Sequence, residues 1–135
     1  MIFDAHTHLN FEGFDEEERA QRAEEIAASD VGIIIDAGDS VASSRKAIED
    51  AETYSWCYAA VEYTEEDLAH IEEMLAHRKV QALGEIGLDF HYGKDTKEEQ
   101  IELFRKQLRI GMRHQVPVMI HTRDANQLTL DIPKE

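Results

Sequence analysis

Gly32-Ile33-Ile34-Ile35-Asp36-Ala37 is the stretch on which the fold turns. Three consecutive isoleucines carry no polar alternation, so a strand built from them has no wet face. Burial on both faces is the habit of strands in a parallel sheet. The same kind of run recurs on either side. Ile2-Phe3-Asp4-Ala5-His6 precedes it, and Cys57-Tyr58-Ala59-Ala60-Val61, the stretch from Val80 to Ile86, and Val116-Pro117-Val118-Met119-Ile120-His121 follow it. Between these runs the apolar period lengthens to that of helices. Asp15 opens the first helix with Glu18 as its capping-box partner, and Ala20, Ala23, Ile26 and Ala27 make a weak stripe. Asp39 or Ser40 caps the second, with Val41, Ile48 and Ala51 inward. Thr64 with Asp67 caps the third, ahead of Leu68, Ile71 and Leu75. Thr96 with Glu99 caps the fourth, whose stripe is Ile101, Phe104, Leu108 and Met112. Strands alternating with helices read as βα units on a parallel sheet.

The chain has 135 residues and a net charge of −15, with 42% hydrophobic and 32% charged residues. That composition supports one domain with a core rather than disorder. No apolar run approaches the roughly 20 residues of a membrane helix. The N-terminus lacks the basic and apolar regions of a signal peptide. A single cysteine, Cys57, precludes an internal disulfide and fits the cytoplasm. The acidic balance disfavours broad electrostatic binding to nucleic acid or anionic membrane. It leaves room for a nucleic-acid substrate held through a metal ion.

Three motifs carry chemistry. In His6-Thr7-His8 the two imidazoles stand at i and i+2, on one face of an extended segment. They are either a metal grip or two surface histidines. In Gly84-Glu85-Ile86-Gly87-Leu88-Asp89, Glu85 interrupts an apolar strand. A carboxylate there needs a cation or hydrogen-bond donors, and an Arg or Lys partner would serve as well as a metal. The two glycines permit close backbone approach or a bulge. In Ile120-His121-Thr122-Arg123-Asp124, His121 closes an apolar strand and is either a hydrogen-bonded core histidine or a ligand. Strands one, four and five thus each carry a metal-type ligand at the end where parallel αβ folds place their sites. Mixed His and carboxylate ligation suits zinc, manganese, iron or cobalt. His91 with Tyr92 lines the mouth of the site or the surface. His70, His77 and His114 fall on or near helices as solvated residues, and Cys57 is a small core residue.

With these motifs in place, the chain resembles the TatD family of metal-dependent hydrolases. Phe3-Asp4-Ala5-His6-Thr7-His8-Leu9 is similar to the family's first-strand motif. Ala82-Leu83-Gly84-Glu85-Ile86-Gly87-Leu88-Asp89-Phe90 is similar to its most characteristic segment. Val116 to Ala125 resembles its fifth-strand motif, and Gln100, Phe104 and Gln107-Leu108 match its fourth helix. The resemblance implies an amidohydrolase-type TIM barrel and a two-metal phosphoesterase, several members being deoxyribonucleases. It implies that His6 and His8 bind one divalent ion and His121 the other, with Glu85 bridging them as the catalytic carboxylate. Zinc, magnesium or manganese would be the cofactor, DNA or a nucleotide phosphoester the substrate. Arg123 would contact a phosphate.

The departures from the family pattern shape the expectation. A full barrel takes eight βα units and about 250 residues. The family's sixth-strand His and eighth-strand Asp would fall beyond Glu135, removing one ligand from each ion and the base expected to act on the water. Val61-Glu62-Tyr63-Thr64 stands where the family has a Gly-x-His-Pro turn, and Pro133 breaks a fifth helix. The expected fold is therefore α/β, a truncated TIM barrel in a single domain over 1–135, incomplete at its C-terminus. The expected function is phosphodiester hydrolysis by a metal-activated water. The alternative is a non-catalytic half barrel that binds metal weakly or self-associates as a homodimer. A phosphoesterase of the polymerase-and-histidinol-phosphatase type also carries His-x-His, but the Glu85 and His121 motifs favour TatD.

Overall fold

Each of the five apolar runs becomes a strand in the computed structural model, which describes residues 1–62 and 68–135. The strands are β1 (Ile2–Thr7), β2 (Val31–Ala37), β3 (Cys57–Val61), β4 (Val80–Asp89) and β5 (Val118–Arg123). Between and after them lie α1 (Glu16–Ala27), α2 (Val41–Thr53), α3 (Leu68–Leu75), α4 (Lys97–His114) and α5 (Asn126–Asp131). Every neighbouring pair is parallel, and the spatial order β1-β2-β3-β4-β5 is the chain order. An order that never reverses, with crossovers of one hand, puts the helices on one side of the sheet. The result is a curled half of a β/α barrel, the partial TIM barrel expected.

One face of the sheet is sealed by the helices. Ile34, Val61, Leu83, Ile86 and Leu88 are buried there with Ile71 of α3 and Phe104 of α4. The other face carries a smaller cluster of Ala37, Ala60 and Ala82 against Ile35 and Met119. Burial of both faces of β2 does not hold. Ile34 is 1% exposed while Ile33 beside it is 36% exposed, because helices cover only one side. Phe3, paired in register with Ile33, is likewise exposed.

The caps follow local chemistry in two of the three helices where they can be judged. Glu18 N–H donates to Asp15 Oδ1 at 2.8 Å and Asp15 N–H to Glu18 Oε2 at 3.1 Å, a complete capping box. On α2 the cap is Ser40 rather than Asp39, with Ser43 closing the box. The Thr96–Glu99 box does not form. A 3-10 turn over Lys94–Thr96 leads into α4, leaving Thr96 at φ −117°, ψ 28° with no side-chain cap bond. Thr64 and Asp67 lie outside the described residues.

The stripes shift in detail. On α1 only Ala23 is buried, Ile26 is half-buried, and Ala20 and Ala27 face solvent. On α4 the buried residues are Phe104, Gln107, Ile110 and Gly111, whereas Met112 is exposed. Met112 borders an apolar groove of about 830 Å³ between α4 and the β5 edge, shared with Leu108, Val116, Val118, Ile132 and Pro133. β4 continues three residues past Ile86 because Asp89 pairs in register with Arg123, and β5 runs two residues past His121. α5 stops at Asp131, and Pro133 sits in a 3-10 turn, as a proline there demands. Among the described residues no helix is long and apolar enough to cross a membrane.

Candidate metal centre

β1 delivers His6 near its C-terminal end, and His8 follows two residues later. Glu85 comes from β4, at an irregularity where register slips between Leu83 and Ile86. Together these three bring ligand atoms within 4.8 Å of one another. His6 Nε2 lies 2.5 Å and His8 Nε2 3.9 Å from Glu85 Oε1. The two imidazoles meet edge to face, 5.0 Å between centroids. His8 Nδ1 is 2.9 Å from the Ala37 carbonyl, which can only accept. Nδ1 therefore donates to that carbonyl, which leaves Nε2, on the side of Glu85, as the ring atom for a ligand role, the arrangement of a metal-binding histidine with its outer partner.

His121 does not join this trio. Its Nε2 is 3.1 Å from Asp89 Oδ2, so the carboxylate takes the ring proton's hydrogen bond and Nδ1 is left as the donor atom for a ligand role. Asp89 Oδ1 is occupied by the backbone N–H groups of Tyr92 and His91, each at 3.0 Å. Those hydrogen bonds, with help from His121, hold the Asp89 carboxyl below its usual range. Gln100 of α4 fixes the turn after β4, accepting from Asp89 N–H and donating to the Asp89 and Gly93 carbonyls. β4 and β5 come close beside His121. A Cβ on Gly87 would sit 1.9 Å from the His121 carbonyl oxygen, which leaves glycine as the residue that fits.

Glu85 and His121 nevertheless face one cavity of about 250 Å³, which they share with Asp39, Glu62, Asp89 and Gln107. Asp39 follows β2, Glu62 follows β3, Asp89 ends β4 and His121 lies on β5, so the cavity opens at the C-terminal end of the half barrel. Among the described residues no Lys or Arg lines it. A concave site with four carboxylates, one histidine and no cation fits a divalent metal. The larger groove beside Met112 holds none of the candidate ligands. Glu62 and Asp39 fall outside the three sequence motifs. Glu62 had the same signal as Glu85 and His121, a polar residue closing an apolar strand. Burial, with the Asp39 and Glu85 carboxylates nearby, pushes Glu62 up to about 8. His91 bridges two loops through Asp124 at 3.3 Å and stands edge-on to Tyr92. His77 pairs with Glu52 and His114 with Glu72, both away from the site. Cys57 is buried, and burial pushes its thiol up to about 12.

The family model for TatD-related DNases matches residues 3–135. The chain belongs to the TatD family. It is 41% identical to the metal-dependent hydrolase YabD of Bacillus subtilis (strain 168), a match over all of this chain and 56% of that protein. It is 29% identical to the 3'-5' ssDNA/RNA exonuclease TatD of Cronobacter sakazakii, over 93% of this chain and 50% of that one. The crystal structure of the TatD homologue YjjV from Escherichia coli K12 superposes with a TM-score of 0.79 at 30% identity, over 95% of this chain and 53% of that one. This TatD-family chain thus spans about half the length of the relatives it matches.

Proposed function

We propose that this chain carries the N-terminal part of a hydrolytic metal centre that cleaves phosphodiester bonds, with DNA or a nucleotide phosphoester as substrate. The convergence of His6, His8 and Glu85 within 4.8 Å carries the reading. When bound, divalent ions supply Lewis acidity and lower the pKa of a coordinated water. The chain's own residues do the positioning. His8, steadied by the Ala37 carbonyl, and His6 present nitrogens on one side of Glu85. His121, steadied by Asp89, lines the same cavity as Glu85. Glu85, which contacts His6 and lines the cavity with His121, would be shared by the two ions. Arg123, its guanidinium 4.9 Å over the Tyr92 ring, offers a cation to a substrate phosphate.

Four ligands shared by two ions leave each with two or three protein contacts, at or below the three of a typical catalytic zinc site. Turnover by this chain alone is therefore expected to be slow. A second reading, weak metal binding without catalysis, is favoured by one observation: His121 is held by Asp89 and stands apart from the other three. Metal content by mass spectrometry, beside cleavage of single-stranded DNA with magnesium, manganese or zinc, tests both. Glu85→Ala should lower metal occupancy and His70→Ala should leave it unchanged. Equal occupancy in both variants overturns the proposal. Bound metal with no cleavage above background supports the second reading.

A further inference from the structure

Glu62 is the carboxylate at the site that the His-x-His, Glu85 and His121 motifs leave unused. It directly follows β3, and its backbone N–H is anchored on Ser44 Oγ of α2 at 3.1 Å. It lines the same cavity of about 250 Å³ as Glu85 and His121. Its Oε2 is shut off from solvent and, among the described residues, has no hydrogen-bond partner. A buried carboxylate oxygen without a donor is a costly arrangement that a cation relieves. The surroundings offer no cationic side chain: Asp39, Glu85 and Asp89 line the cavity, with no Lys or Arg among the described residues. His121 lines the cavity as well, held through Nε2 by Asp89.

We infer that Glu62 is itself a ligand, supplying a carboxylate oxygen to a divalent cation held in this cavity between Glu85 and His121. The inference rests on the proposed metal centre and extends it. Ligands for the second ion would then come from three consecutive units of the sheet, the residue after β3 and one each on β4 and β5. Hard oxygen ligands from Glu62 and Glu85 would favour manganese or magnesium over zinc at that position.

Binding of manganese alone to the intact chain, followed by calorimetry and by the electron paramagnetic resonance of free Mn²⁺, tests this. Glu62→Gln keeps the size of the side chain and removes its charge. It should weaken binding at one class of site by about tenfold or more, the scale on which even outer-shell changes act. Glu62→Asp, which keeps the charge on a shorter arm, should retain the bound ion at reduced affinity. Glu52→Gln, at an exposed carboxylate paired with His77, should bind like wild type. Circular dichroism melts verify that each variant is folded. If Glu62→Gln is unfolded, the Glu62→Asp affinity decides. Wild-type manganese affinity and stoichiometry in the folded Glu62 variants, with binding lost in Glu85→Gln, overturns the role of Glu62 and leaves the metal centre standing. Unchanged binding in Glu85→Gln as well overturns the metal centre, and the role of Glu62 with it.

Discussion

Asp36 is fully buried on β2, one residue past the three isoleucines. It receives the Asn10 N–H at 3.2 Å through Oδ1, while Oδ2 has no partner among the described residues. The groups that face it are Asp50 of α2, paired with Arg19 of α1 at 3.6 Å, and the Cys57 thiol. Burial pushes its carboxyl from the ordinary 3.8 up to about 6, against the lowering effect of Asn10. The sign follows from proton linkage. Below pH 3.8 the folded and unfolded chains are both protonated and nothing is lost. Between about pH 4 and 6 the unfolded chain ionises first, so stability falls with rising pH. Above pH 6 the loss levels at about 3 kcal/mol. Asp36→Asn keeps an acceptor for Asn10 and removes the charge. It is expected to raise the urea midpoint at pH 7 and to change it little at pH 4. The same gain at both values would show that burial of the charge is not the cause.

At the scale of elements, the caps separate what neighbours three residues apart can settle from what they cannot. The Asp15–Glu18 and Ser40–Ser43 boxes are local hydrogen-bond exchanges, and both form. Thr96 has the right partner at Glu99, yet its hydroxyl is drawn to the Gly93 carbonyl at 3.2 Å and to Gln100 Nε2 at 3.1 Å. Gln100 is there because it also closes the turn after β4 against Asp89. Ser40→Ala should therefore cost about 1 kcal/mol in denaturant unfolding, and Thr96→Ala only a few tenths. Equal costs would mean that the Thr96 cap forms in solution.

The half barrel leaves its inner face and the outer edges of β1 and β5 open on the whole molecule. Phe3 is 60% exposed on β1, and Ile33 and Ile120 are partly exposed on β2 and β5. Unpaired edges and an apolar face are templates for association. A homodimer that covers them is expected at micromolar concentration, opposed by the net charge of −15 and so strengthened by salt. Sedimentation that finds a stable monomer at every salt concentration would contradict this. The matched relatives are about twice as long as this chain, so the same face in a chain of their length has further residues available to cover it.

The order of elements, with His6, Glu85 and His121 carried on strands one, four and five, was legible in the linear chain, because apolar period and side-chain parity are short-range properties; that β4 and β5 run on past Glu85 and His121 was not. Which ligands meet was decided only by the tertiary structure. Asp89 lies 32 residues from the His121 ring it holds, and it could do so only once β4 ran on to pair with β5. Glu62 Oε2 became a solvent-inaccessible oxygen, without a partner among the described residues, only when the fold brought Asp39 and Glu85 to the same cavity. Ile33 and Ile34 are chemically identical, and only the placement of the helices on one side leaves one exposed and the other sealed. Burial and distance are sums over many remote neighbours, and no run of adjacent residues encodes them.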